Sequence, residues 1–233
     1  MHLLDEARNM IAQKSLPHTK GDKSIIYNED TEEKDMSNKT VDVAIWMPGI
    51  RTQYWLEQYD SLAKHNNTSF KIFVCGQNRP KPEERAAFPE NLVYIHSDMP
   101  HIAPHAEIAR RHAMACNSKY VMLFGDDLYP YPKMLDYLVE EIENYGDEMV
   151  VGPAFRPVKE GQTTKPTCDR FINLGVTRAS CLGMATPLIM RKTALAIGGI
   201  DKRMKGATFD RDYFLRLFEY KEDMPWKTVE KSK

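Results

Sequence analysis

Two adjacent carboxylates, Asp126 and Asp127, follow the apolar run Tyr120-Val-Met-Leu-Phe124 after a single glycine. Hard divalent cations prefer oxygen ligands, and magnesium-type sites combine one or two carboxylates with substrate phosphates. One aspartate of such a pair can touch the metal while its neighbour holds a metal-bound water or a sugar hydroxyl. A helix N-cap or a turn ahead of Pro130 accounts for the same two residues without chemistry. A second acidic group stands in Thr208-Phe-Asp-Arg-Asp212, where a helical stretch opens. Asp210 either caps that helix or serves as a general base, which must lie within hydrogen-bond reach of the proton it removes. Asp212 and Arg216 are four residues apart and read as a surface ion pair.

A third group is the loop Pro48-Gly-Ile-Arg51. Its backbone suits a nucleotide base and Arg51 suits a phosphate, although a plain turn fits equally well. Of Arg110 and Arg111, placed mid-helix, one is expected to reach a diphosphate and the other to be solvated. His96, His101, His105 and His112 invite a zinc reading. No HExxH pattern is present, and Pro104 is expected to break the helical face between His101 and His105. The chain has neither a GxxxxGK[ST] loop nor a GxSxG elbow, which excludes those phosphate and nucleophile sites.

The elements that must position these residues alternate between strand and helix. Val41–Met47, Phe70–Cys75, Leu92–Ile95, Tyr120–Phe124 and Met149–Val151 are short apolar runs ended by turn residues, and they predict five buried strands. Helices are expected over Arg51–Lys64, from Pro104 to about Asn117, and over Lys133–Tyr145, Thr193–Ile197 and Asp210–Tyr220. The Gly198-Gly199 pair permits the left-handed turn that closes a helix. Such alternation predicts an α/β domain with a mainly parallel sheet, whose ligands sit beyond the carboxyl ends of the strands. Residues 156–180 read as a loop-rich insertion. Residues 1–40 are charged and polar apart from a short amphipathic stretch, His2–Lys14, and read as a flexible leader or a docking helix. The domain is expected to cover residues 41–222, with 223–233 as a C-terminal tail.

Bulk properties narrow the partners. A formal net charge of -1 over 233 residues disfavours nucleic acid as the main partner, because non-specific affinity for it comes from Lys and Arg at phosphates. Cys75, Cys116, Cys168 and Cys181 form no CxxC pair, which argues against structural zinc and for a reducing compartment. With neither a signal-peptide pattern nor a membrane-length apolar run, a soluble, cytoplasmic protein is expected.

Taken together, these pieces resemble the family 2 glycosyltransferases of the GT-A fold over about Val41 to Leu217. Lys119-Tyr-Val-Met-Leu-Phe-Gly-Asp-Asp-Leu-Tyr-Pro130 is similar to the family's strand, acidic metal motif and following proline. Ala185-Thr-Pro-Leu-Ile-Met-Arg-Lys192, Gly198-Gly-Ile-Asp201 and Phe209-Asp-Arg-Asp-Tyr-Phe-Leu-Arg216 are similar to its acceptor half. The resemblance implies a single GT-A-type domain, with a mainly parallel sheet flanked by helices. It implies transfer of a sugar from a nucleotide-diphosphate donor to a hydroxyl acceptor (glycan, lipid or protein), with inversion.

Asp127 would then be the ligand to Mn2+ or Mg2+, with Asp126 beside it at the metal and donor. Asp210 would be the base. Pro48, Gly49, Arg51, Asn78 and Arg110 would line the donor. The chain departs from the family pattern at Gly125, at Cys75-Gly-Gln-Asn78 and at Phe209. Those departures keep a second reading open, a non-catalytic sugar-nucleotide-binding or structural protein. A nucleotidyltransferase is a third, although Pro48-Gly-Ile-Arg51 is a poor fit to the Gly-rich, Arg- and Lys-bearing loop it needs.

Overall fold

Every side chain of β1 (Val41–Pro48) except Asp42 is buried. Val43, Ile45 and Met47 face one layer of the molecule, and Ala44 and Trp46 face the other. A central strand covered on both sides needs an unbroken apolar run, which is why the segment does not alternate with polar residues. The computed structural model describes residues 40–145, 149–153, 186–204, 209–221 and 224, and the backbone of 226–229. The leader with its amphipathic stretch, the 156–180 insertion, Cys168, Cys181 and Thr208 lie outside these residues.

After β1 come α1 (Thr52–His65), β2 (Phe70–Gly76), α2 (Pro82–Ala86), β3 (Leu92–His96), α3 (Ile102–Ala115) and β4 (Ser118–Leu123). They are followed by α4 (Met134–Tyr145), β5 (Val150–Pro153), β6 (Leu188–Met190), α5 (Arg191–Ala196), α6 (Phe209–Tyr220) and β7 (Trp226–Val229). The strands form one sheet in the order β3-β2-β1-β4-β6-β5-β7. Among the described strands, only β6 runs against the rest, antiparallel to both β4 and β5. Helices α1 and α4 cover one face through Trp55, Leu62, Leu135 and Leu138. Helices α3 and α6 cover the other through Ala106, Ala109, Tyr213 and Leu217.

Three expectations change. Helix α3 begins at Ile102, with Pro104 inside its first turn and His101 as its extended N-cap, so His101 and His105 share no helical face because the helix starts after His101 and not because the proline breaks it. The missing proline N–H costs nothing there, because first-turn N–H groups have no intrahelical acceptor. The segment expected as a C-terminal tail contains β7, paired with β5 from Val150↔Trp226 to Pro153↔Val229. Helix α2 and the three-residue β6 were not foreseen. No described helix is long and apolar enough to cross a membrane.

Strand direction fixes where chemistry can gather. Because β1 and β4 are parallel, Pro48 and Leu123 end at the same rim of the sheet. Helix α6 leads by a short connection into β7, which runs parallel to β5. The helix therefore descends toward the amino edge, and its N-terminus lies at the carboxyl rim. Tyr213, one turn into α6, packs edge-on against Trp46 near the end of β1, with ring centroids 5.8 Å apart.

Candidate active site at the carboxyl rim

The two aspartates sit in a tight turn, closed by the Leu128 N–H donating to the Gly125 carbonyl at 3.2 Å. Gln58, 2% exposed on the inner face of α1, holds that turn by donating to the carbonyls of Leu128 (2.6 Å) and Gly125 (3.3 Å). Gln58 was not anticipated. Its signal was a polar residue on the stripe shared with Trp55 and Leu62.

The turn sends its carboxylates in different directions. Asp126 is buried, and its Oδ2 accepts the backbone N–H groups of Ile50 (2.6 Å) and Arg51 (2.8 Å). Its Oδ1 takes the Arg51 guanidinium. Asp127 remains 60% exposed, with its Oδ2 3.9 Å from the same Arg51 nitrogen. Asp126 thus clamps the loop after β1 to the turn after β4, and Asp127 stays largely exposed.

Pro48, Gly49 and Arg51 are held by further contacts. The Gly49 N–H donates to the Cys75 carbonyl at 2.9 Å. A Cβ on Gly76 would collide with the Gly49 carbonyl, so only glycine permits this approach of the two strand ends. Asn78 donates to the Ile50 carbonyl at 2.6 Å, and its own carbonyl accepts the Tyr94 hydroxyl at 3.2 Å. Tyr94 stacks on Trp55 and bonds His96, which in turn meets Asp98 at 2.7 Å. Burial pushes the Tyr94 phenol up to about 12, so it stays a neutral donor. The β1 loop is therefore braced from β2, β3 and β4 together.

Arg110 departs from its expected role. It is buried on Glu107, with Nε 2.8 Å from Oε2. Arg111 is the exposed member of the pair and also contacts Glu107, at 3.1 Å. Glu107, another residue not anticipated, accepts the Ile200 N–H at 2.7 Å as well. Gly198 takes the left-handed conformation (φ 84), and a Cβ on Gly199 would lie 2.8 Å from Glu107 Oε1. The glycine pair thus serves both a turn and a close approach.

Asp210 lies in the first turn of α6, half-buried, with its Oδ1 accepting the Arg211 N–H at 2.7 Å. Burial raises its pKa above the usual carboxylate value, against the lowering pull of Arg211. The expected Asp212–Arg216 pair is present at 3.0 Å. Burial lowers the pKa of His105, and the described residues contain no group of three or more His, Cys, Asp or Glu able to hold a metal alone. A cation at Asp127 would have to take its remaining ligands from a phosphate-bearing ligand and water, the habit of magnesium-type sites.

The fold that this sheet order and its one reversed strand make is of the GT-A type, as its likeness to solved glycosyltransferase structures shows. The S. aureus TarS 1-349 fragment in complex with UDP superposes with a TM-score of 0.62 at 12% identity, covering 82% of this chain and 58% of that one. The mannosyltransferase PcManGT from Pyrobaculum calidifontis, in complex with GDP-Man and Mn2+, gives 0.59 at 13% identity over 98% of this chain and 62% of that one. Glucosyl-3-phosphoglycerate synthase from Mycobacterium tuberculosis, in complex with Mn2+ and UDP-Glc, gives 0.54 at 12% identity over 83% and 72%. No protein-family profile matches the sequence, and no curated protein matches it. The chain spans less than two thirds of the TarS fragment and of PcManGT, and at these identities the likeness defines the fold alone.

Proposed function

We propose that this chain is an inverting glycosyltransferase of the family 2 type, moving a sugar from a nucleoside-diphosphate donor to a hydroxyl acceptor. The observation that carries the reading is the division of labour at the β4 turn. Asp126 is spent on the loop after β1, and Asp127 is left exposed beside Arg51 at the rim where α6 also begins. Pro48, Gly49 and Asn78 shape the seat for the nucleoside, and Arg51 faces its phosphates. Asp127 would hold a divalent cation, Mn2+ or Mg2+, which when bound neutralises charge on the diphosphate leaving group. Asp210 would remove the proton from the acceptor hydroxyl. Its half-buried position, which raises its proton affinity, favours that role.

Thermal denaturation with nucleotide sugars and Mn2+ tests the donor side. Ligand at a hundredfold excess over Kd stabilises the folded form by about 3 kcal/mol, a shift of several degrees for a chain of this size. We predict such a shift for at least one donor and its loss in Asp127→Ala. An equal shift in that variant removes Asp127 from the site.

One observation favours a binding protein without turnover. Arg51 already neutralises Asp126 and approaches Asp127, which weakens the demand for a cation. Donor hydrolysis that depends on Mn2+ decides for the enzyme, and donor binding with no turnover under any acceptor decides for the binding protein.

A further inference from the structure

The Tyr94 hydroxyl is offered more acceptors than it has protons. It lies 2.9 Å from His96 Nδ1, 3.2 Å from the Asn78 carbonyl and 3.3 Å from the Gly76 carbonyl. A phenol carries one O–H, so it can serve only one of these fully at a time. The ring itself is fixed. It stacks on the fully buried Trp55, with centroids 5.5 Å apart. The hydroxyl proton is the part left to turn, and burial keeps it on the phenol.

His96 decides where that proton goes. Its imidazole is buried, and Nε2 lies 2.7 Å from Asp98 Oδ1. An ionised carboxylate can only accept, so Nε2 carries a proton whether the ring is neutral or charged. In the neutral ring Nδ1 is then bare, and it accepts the Tyr94 O–H. In the charged ring Nδ1 has its own proton and donates to the Tyr94 oxygen. The hydroxyl must then donate to a carbonyl at the end of β2 or just beyond it.

Those carbonyls belong to the brace on the β1 loop. Asn78 Nδ2 donates to the Ile50 carbonyl at 2.6 Å, and the Ile50 N–H donates to Asp126 at 2.6 Å. A donor on the Asn78 carbonyl extends this path of hydrogen bonds from β3 to the turn after β4. Among the described residues, the other titratable or charged groups facing the pair are His105 on α3, Cys75 on β2, Arg79 after β2 and Arg85 on α2. Burial lowers the pKa of His105, which keeps a second positive charge away from His96. Arg79 and Arg85 are charged throughout, so they bear on the midpoint of the change and not on the choice of acceptor.

We propose that His96 is a proton-operated latch: when its ring gains a proton, the Tyr94 hydroxyl turns from Nδ1 to the Asn78 and Gly76 carbonyls and tightens the loop after β1. Imidazole is the side chain suited to such a change between about pH 5 and 8. The latch stands independently of the transferase reading.

Nuclear magnetic resonance of the full chain, without ligand, tests it across that range of pH. At the alkaline end the His96 ring should carry its proton on Nε2. As the ring titrates, the Gly76 and Asn78 carbonyl carbons should shift downfield with the same midpoint. Tyr94→Phe keeps the stacked ring and removes the hydroxyl, so His96 should still titrate while both carbonyls stay still. Asp98→Asn changes a side chain that is 88% exposed. There the ring and carbonyl transitions should move together to lower pH, because the charged imidazole loses its carboxylate. A neutral ring protonated on Nδ1, or a ring that does not titrate in this range, overturns the proposal. So do carbonyls that ignore His96, that follow it equally in Tyr94→Phe, or that keep their midpoint in Asp98→Asn while the ring moves.

Discussion

Glu107 carries four hydrogen bonds on a side chain that is almost fully enclosed: two from Arg110, one from Arg111 and one from the Ile200 N–H. Burial raises its pKa, but these donors outweigh burial and leave the carboxyl below its ordinary 4.5. A group whose folded pKa is depressed contributes stability that is present above the unfolded value and lost as pH falls through the folded one. We predict that Glu107→Ala, which strands Arg110 as an unpaired buried charge, destabilises the fold by about 3–5 kcal/mol at pH 7. Glu107→Gln should cost less, and its deficit against the parent should shrink as the pH is lowered from 7 to about 3. Urea unfolding across that range reads both effects, and a pH-independent deficit denies Glu107 its ionised role. Sequence pattern gave little warning of this residue. The i,i+4 spacing to Arg111 was visible, but the partner that makes it matter, Ile200, is brought close only by tertiary structure.

Elements were legible where one layer of packing decides them. β1, β2, β3 and β4 are apolar on both faces and announce themselves as runs, and α4 shows its stripe at Met134, Leu135, Leu138 and Ile142. β6 is three residues long and α2 buries nothing, so neither leaves a pattern to read. Within the site, Asp126 and Asp127 were visible as a pair. Their opposite fates were not, because they depend on the Ile50 and Arg51 N–H groups some 75 residues earlier. The first turn of α6 shows a further tension at this scale. A helix N-terminus favours negative charge, yet burial wins at Asp210 and raises its pKa. An acid with a raised folded pKa loses stability as pH climbs from its unfolded value through the folded one. We therefore predict that Asp210→Asn is as stable as the parent or more so at pH 7, while turnover falls by on the order of 10²–10⁴. Unchanged turnover would remove Asp210 as the base. A large loss of stability would show that its charge supports the helix instead.

For the molecule as a whole, the rim exists only because the sheet order brings together segments far apart in sequence: the loop after β1, the turn after β4 and the start of α6. The strand that closes this arrangement is β7, in residues that read as a tail. A four-residue strand carries little signal of its own, and its place is set by pairing with β5 rather than by composition. Its removal should therefore act on the sheet edge and not on the rim. Ending the chain after Lys221 strips β5 of its outer partner and takes away Met224, which is 2% exposed. Burial of one such side chain is worth roughly 1.5–3 kcal/mol, and a bared strand edge invites pairing with other chains. The start of α6 keeps other anchors, Tyr213 against Trp46 and the Arg216 guanidinium on the Ile197 carbonyl at 2.8 Å. We predict that the shortened chain unfolds at lower urea and associates on size-exclusion chromatography, while its folded fraction retains whatever donor binding the full chain has. An unchanged urea midpoint would mean that β7 does not hold the edge. Donor affinity lost ahead of stability would mean that the rim is coupled to the sheet edge through α6.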